Sequence, residues 1–243
     1  MEENNFNTKD SVNAWFDDLK KKIDVLPELK GTKRDGRYLE DEAYILCIVY
    51  LDQLSNRFQG IKTIGKWRFC DLLINYSGNL LFANISFRQL LLELKKESEK
   101  SKKKTQKIKD IFEKLFVFFN SKGCNLDENS LISKKGSKLY SKIYTKKGML
   151  NFVKNVLIES EFQLLNEKID KGRGSIASFC YDKIRSLAIH EHGPSGCWVI
   201  GGEEISFEVL YSSLKNIYQY IKKDYEKTGK FLGYVAGVHP FSK

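Results

Sequence analysis

Two histidines stand close together late in the chain, His190 and His192, and a histidine side chain can move protons near neutral pH. Five positions before the first of them is Arg185, in the run Arg185-Ser186-Leu187-Ala188-Ile189-His190. A guanidinium is permanently charged and offers a planar fork of donors that matches phosphate oxygens, so it can stabilise a pentacoordinate phosphorane. An imidazole can accept the proton of a ribose 2'-hydroxyl or donate one to a leaving 5'-oxygen, work worth about 10²–10⁴ in rate. Carbonyls at a helix C-terminus favour the protonated ring, and Gly193-Pro194 sets a helix end just past the pair. The chemistry that these residue types suit is that of a phosphodiester.

Several neighbours could support the pair. Tyr181, four positions before Arg185, shares its side of a helix and could pack, stack on a base or bond to a phosphate. Asp182 and Glu191 could orient Arg185 or His190, and His192 could assist. His190-Glu191-His192 could instead suggest a metal. Alternate positions of a helix point apart, however, so neither a metal nor a cofactor is expected. Five helical positions turn through about 140°, which keeps Arg185 and His190 from converging on one atom from a straight helix. Either His190 lies past the last turn, where the backbone redirects it, or a second protomer supplies the other half across a twofold interface; the two together give a homodimer with a composite site.

The elements that must position these residues read as helices. Ile176, Cys180, Ile184 and Leu187 form one apolar face of a helix over 175–190, capped by Ser175 after the Lys171-Gly172-Arg173-Gly174 break. Earlier helices are predicted from Asp10 or Ser11 to Pro27, over 39–58 with Ala43, Leu46, Cys47, Tyr50, Leu51 and Leu54 as its stripe, and over 66–76, 86–96, 108–119 and 149–169. Gly31 to Arg37 reads as a basic turn. Residues 197–200 and 203–207 flank Gly201-Gly202 as a possible short hairpin, and 207–225 resumes helical spacing. The expectation is a single all-α domain over 1–243 with one short hairpin, and with the turn-rich, weakly patterned stretch around 121–148 as an insertion or subdomain boundary.

Composition narrows the class. At 243 residues, with 42% hydrophobic and 13% aromatic residues, the chain can bury a core without staples. Three prolines and 17 glycines are too few for collagen-like or linker character, and an all-β sandwich would need more turn residues. Lys and Arg total 41 against 31 Asp and Glu, so a net charge of +10 should attract polyanions, with nucleic acid the commonest. From Lys95 to Lys109 there are eight lysines against two glutamates; Lys102, Lys103, Lys104 and Lys107 could bind RNA there, or the run could be a solvated face. The cysteines, Cys47, Cys70, Cys124, Cys180 and Cys197, are widely spaced and read as buried thiols of a reducing compartment. A polar, acidic start and the lack of a long apolar run predict a cytoplasmic protein with no membrane contact.

The run Tyr181-Asp182-Lys183-Ile184-Arg185-Ser186-Leu187-Ala188-Ile189-His190-Glu191, late in a helical chain, resembles the R-x4-6-H signature of the HEPN superfamily. The helix from Leu39 to Asp52 is similar to one of the larger, single-domain HEPN-like proteins. The resemblance implies a dimerising HEPN-like helical bundle, here with additional N-terminal helices. In active members it implies a metal-independent endoribonuclease of toxin-antitoxin or antiviral defence systems, with an antitoxin or defence-system partner. Arg185 would then contact phosphate and His190 would be the acid or base. Ser186 stands where members often have Asn, Asp or His, and a catalytically inactive module that binds RNA or protein is the alternative.

Overall fold

In a computed structural model the described residues are 9–57, 65–100, 106–127, 142–185, 197–200 and 203–229, and most of them are helical. Contacts divide the chain into two compact units. The first comprises Met1–Asn79, Tyr181–Trp198 and Ile205–Lys243; the second comprises Leu80–Cys180 and Val199–Glu204. The stretch 121–148 falls within the second, and its residues 128–141 lie outside the described ones.

The first unit begins with α1 (Lys9–Asp24), whose Val12, Phe16, Leu19 and Ile23 are buried at steps of three and four. Pro27 does not end this helix. It sits in the first turn of a second short helix, α2 (Leu26–Gly31), where its missing N–H costs no hydrogen bond. The basic turn is a hairpin: β1 (Lys33–Arg34) pairs antiparallel with β2 (Arg37–Tyr38). Asp35 and Gly36 between them both have positive φ, 51° and 80°, the demand of a two-residue turn that follows strand twist.

α3 (Glu40–Arg57) buries Ala43, Tyr44, Cys47, Ile48, Leu51 and Leu54, and the Tyr44 hydroxyl donates to the Ile205 carbonyl at 3.1 Å. The buried face is therefore rotated from the expected stripe, with Leu46 and Tyr50 only half-buried at its edge. α4 (Gly65–Tyr76) buries Phe69, Cys70, Leu72 and Leu73. The last helix among the described residues, Phe207–Thr228, runs against α1 and α3 with Leu210, Leu214, Ile217 and Ile221 inward, and its Tyr218 hydroxyl donates to the Phe16 carbonyl at 3.0 Å. Its N-cap is Ser206, the last residue of β6 (Glu203–Ser206), which pairs with β5 (Cys197–Ile200) as the expected hairpin.

The second unit packs α5 (Phe87–Ser98) against α6 (Gln106–Ser121) through Phe87, Leu90, Leu91 and Leu94 on one side and Ile108, Ile111, Leu115 and Phe119 on the other. The short strands β3 (Ile85–Ser86) and β4 (Ile143–Tyr144) pair antiparallel beside them. The helix expected over 149–169 is two helices, α7 (Lys146–Val153) and α8 (Glu159–Asp170). Thr145 caps the first by accepting from Gly148 N–H. Glu161 reaches back to accept from Ile158 N–H at 3.1 Å and so starts the second. Leu157 is buried in the break, which kept the apolar spacing looking continuous. Among the described residues no helix is long and apolar enough to cross a membrane.

Candidate functional site

The segment that leads to the arginine and histidine starts in the second unit, and its start is held by a buried polar network. After α8 the chain turns through Gly172 and Gly174, both at positive φ, and Ser175 caps a one-turn helix, α9 (Ile176–Phe179), by accepting from Ser178 N–H at 3.1 Å. Glu93, only 3% exposed on α5, accepts from Gly174 N–H at 2.9 Å through Oε2. Its Oε1 accepts from Gln89 Nε2 at 3.1 Å and from the Ser178 hydroxyl. Gln89 Nε2 also donates to Ser178 Oγ at 3.2 Å. Backbone bonds flank this knot, from Ser86 N–H to the Gly174 carbonyl at 2.8 Å and from Ile176 N–H to the Asn84 carbonyl at 2.9 Å. A carboxyl excluded from water is tolerable only when hydrogen bonds satisfy it, and these three donors contribute to that.

Gly174 is required twice in that arrangement. Its φ of +71° suits a residue without Cβ, and a Cβ there would lie 2.6 Å from Leu90 Cβ. The Gly-rich break thus lets the chain pass against α5 closely enough for its own amide to reach Glu93.

From Cys180 to Arg185 the helix continues with π geometry. A π turn inserts an extra residue into the hydrogen-bond ladder, so the uniform α spacing expected over 175–190 does not hold through this stretch, and such turns often mark functional sites. Cys180 at its start is buried, and burial pushes its thiol well above the ordinary range, leaving it an inert packing group. Cys47, Cys70 and Cys124 are likewise buried.

Within the first unit, Tyr181 and Asp182 meet the first two turns of α4. The Tyr181 ring packs edge-on against Phe69, with centroids 5.5 Å apart and planes at 64°. Its hydroxyl lies 3.6 Å from where a Cβ would stand on Gly65. Asp182 Oδ2 accepts from Lys66 Nζ at 2.6 Å, with the two side chains 22% and 15% exposed. Lys66 Nζ also lies 5.0 Å from the Trp67 ring centroid. Asp182, which could orient the arginine or histidine, accepts from a lysine 116 positions away, and Tyr181, which could pack, stack on a base or bond to a phosphate, packs on a phenylalanine. The Arg185 side chain and residues Ser186, His190, Glu191 and His192 lie outside the described residues.

Of the lysines expected to meet RNA, Lys107 is exposed on α6, and Lys102, Lys103 and Lys104 lie outside the described residues. Among the described residues no group of three His, Cys, Asp or Glu side chains is placed to hold a metal ion. Sequence reasoning missed Lys66 and Phe69 as partners of the segment, and it missed the whole Gln89–Glu93–Ser178 network. One signal for the network was present: Gln89 and Glu93 are polar residues four apart, directly beside the apolar stripe of α5. No family model, curated protein or solved structure matches the chain.

Proposed function

We propose that the chain is a metal-independent endoribonuclease of HEPN type, acting on RNA phosphodiesters as a homodimer in a toxin-antitoxin or antiviral defence setting. The observation that supports this reading is the departure of the Arg185 helix from α to π geometry over Cys180–Arg185, immediately before the stretch that holds His190. The π turn breaks the regular α ladder just before Arg185, and such turns often mark functional sites. The anchoring of Tyr181 and Asp182 on α4 adds to it, because a catalytic arginine needs a backbone held in place.

In this mechanism His190 takes the proton of a ribose 2'-hydroxyl, and the freed oxygen attacks the adjacent phosphorus. Arg185 stabilises the charge on the non-bridging oxygens, and the 5'-oxygen leaves and takes up a proton. The upstream fragment ends in a 2',3'-cyclic phosphate and the downstream fragment in a 5'-hydroxyl.

Arg185→Ala and His190→Ala are each expected to lower cleavage of single-stranded RNA at least about a hundredfold, the order of acid–base and charge-stabilising contributions, with an unchanged circular dichroism spectrum. Cleavage should survive EDTA, and a single 2'-deoxy sugar at the cut position should block it. Mass spectrometry of the fragments decides: 5'-phosphate ends, or wild-type rates in a folded His190→Ala protein, would end the proposal. Binding without cleavage by the wild-type protein would favour the inactive binding module instead.

A further inference from the structure

The hairpin Lys33–Tyr38 has a composition that packing does not explain. Every residue from Lys33 to Tyr38 is exposed, Tyr38 to 59%, so the ribbon buries no face of its own. It is nonetheless well defined. The Asp35-Gly36 turn sets its twist, Leu39 N–H donates to the Thr32 carbonyl at 3.0 Å across its base, and the Thr32 hydroxyl donates to the Glu28 carbonyl at 2.8 Å. Below it Lys30 is held by Glu40 at 3.1 Å and by Glu208, which ties the foot of the hairpin to α3 and to the last helix.

The register decides what the two faces present. Arg34 stands opposite Arg37 and Lys33 opposite Tyr38. Opposed residues share a face and adjacent ones alternate, so one face carries two guanidinium groups and the other a lysine beside an aromatic ring. Like charges directly opposite each other are destabilising, and a ribbon with no buried face gains nothing in return. Asp35 offsets little, with its carboxylate 3.9 Å from Arg34 Nε and 94% exposed. Arg37 has no ion-pair partner among the described residues. On the other face Lys33 Nζ lies 4.6 Å from the Tyr38 ring centroid.

Two forks that repel each other in the free protein suit a ligand with closely spaced anionic oxygens, because phosphates take both bidentate contacts and remove the repulsion. An exposed tyrosine on the same ribbon suits a base that has no partner strand, since stacking on an aromatic face needs an unstacked base. We infer that this hairpin is a docking finger for single-stranded RNA, with Arg34 and Arg37 holding successive phosphates and Tyr38 stacking one base. The choice of RNA as the polyanion rests on the ribonuclease reading, whereas the finger itself rests on the register and exposure of these six residues.

The test is fluorescence anisotropy of the full chain with a labelled 12-nucleotide RNA whose 2'-hydroxyls are all methylated, so that it binds without being cut. Arg34→Ala with Arg37→Ala should weaken binding about tenfold or more near 0.1 M salt. The same pair should flatten the slope of log affinity against log salt by about 1.4, that is about 0.7 for each phosphate lost from a single strand. Arg34→Lys with Arg37→Lys should restore that slope but only part of the affinity, because lysine keeps the charge without the fork. Tyr38→Ala should cost about fivefold or more with the slope unchanged. Lys21→Ala with Lys223→Ala, two exposed lysines on α1 and the last helix, removes the same charge elsewhere and should leave binding within about twofold. An arginine pair whose loss changes affinity less than twofold, or a control pair that costs as much, would overturn the finger. The ribonuclease reading fails separately. If wild-type protein leaves unmethylated RNA uncut while the anisotropy still depends on Arg34, Arg37 and Tyr38, that reading is lost and the finger stands.

Discussion

Glu93 and Asp182 are both carboxyl groups that hold the chain, one just before the π turn and one within it, and they differ in burial and in the donors that meet them. Glu93 is almost fully removed from water and accepts hydrogen bonds from an amide N–H, a serine and a glutamine. Asp182 keeps about a fifth of its side chain in water and is held by the ammonium of Lys66. A buried carboxyl that several donors share is cooperative: removing it strands them at once. A half-buried ion pair is closer to break-even, since both ions lose hydration to make it and each can regain water when the other is removed. The first arrangement therefore fixes the fold of its unit. The second sets how firmly one short segment is held.

The largest effects are expected at the buried end. Glu93→Ala should cost about 3–5 kcal/mol, because Gly174 N–H, the Ser178 hydroxyl and the Gln89 amide all lose an acceptor and a cavity opens in α5. Gly174→Ala should cost about 3 kcal/mol through a different route, the strain of an L-residue at positive φ plus the collision with Leu90. Urea melts of both variants check this. If the two losses added fully in the double variant they would be independent; sub-additivity is expected, because either change alone breaks the Gly174–Glu93 bond.

That network also marks the limit of what the chain's order of residues can reveal. The Ser175 cap was legible, since it acts within three residues of itself, and so was the hairpin around Gly201-Gly202. The mostly helical character followed from apolar spacing, although three short strand pairs stand among the described residues where one hairpin was expected, and α5, α6 and the last helix fall within about two residues of their expected starts. The break at 154–158 was hidden because Val156 and Leu157 pack as a continuing helix would, and the second helix start uses Glu161 rather than a serine or threonine. The Asp35-Gly36 hairpin carried its turn signal, but charge dominated the reading of that stretch. Nothing local could show the Glu93–Ser178 contact, which joins residues 85 positions apart, or the Lys66–Asp182 pair. A π turn has no compositional signature, so the regular Ile176, Cys180, Ile184 spacing concealed the place where α geometry stops.

The half-buried end should respond more gently. Lys66→Ala and Asp182→Ala are each expected to cost about 1 kcal/mol, and the double-mutant cycle should return a coupling of similar size, reduced by half or more in 0.5 M salt. The salt series separates the two regions, since burial shields the Glu93 hydrogen bonds and the loss in Glu93→Ala should change less with salt. If Asp182 acts by holding the π segment, Asp182→Asn should lower RNA cleavage by several-fold, and Lys66→Ala should lower it equally, without affecting affinity for the methylated RNA. A loss confined to Asp182 variants would instead mean that its carboxylate works directly on Arg185 or His190.

The smallest effect belongs to a third carboxylate, Glu208, which extends the comparison to a fully wet site. Its hydrogen bond from Lys30 comes first among the causes that hold its carboxyl below the usual range, and the same bond raises Lys30 above the usual lysine value. The signs follow from linkage. A depressed carboxyl contributes stability that is present above its unfolded pKa and disappears as pH falls through the lower, folded value. A raised lysine contributes stability that is complete below its unfolded pKa and disappears as pH rises through the higher, folded value. The pair should therefore be worth a constant amount across neutral pH and vanish at both extremes. Glu208 keeps 65% of its side chain exposed, so screening by water and salt leaves about 0.5 kcal/mol or less. Glu208→Gln is expected to lower the melting temperature by about 1–2 °C at pH 7, and Lys30→Ala by a little more because Lys30 also meets Glu40 and the Phe207 ring. Well below the carboxylate range the Glu208→Gln difference should close to nothing, because the wild-type side chain is then neutral as well. A difference that persisted there would mean that Glu208 acts through packing at the first turn of its helix and not through charge, and the ordering from buried carboxyl to wet ion pair would lose its outermost point.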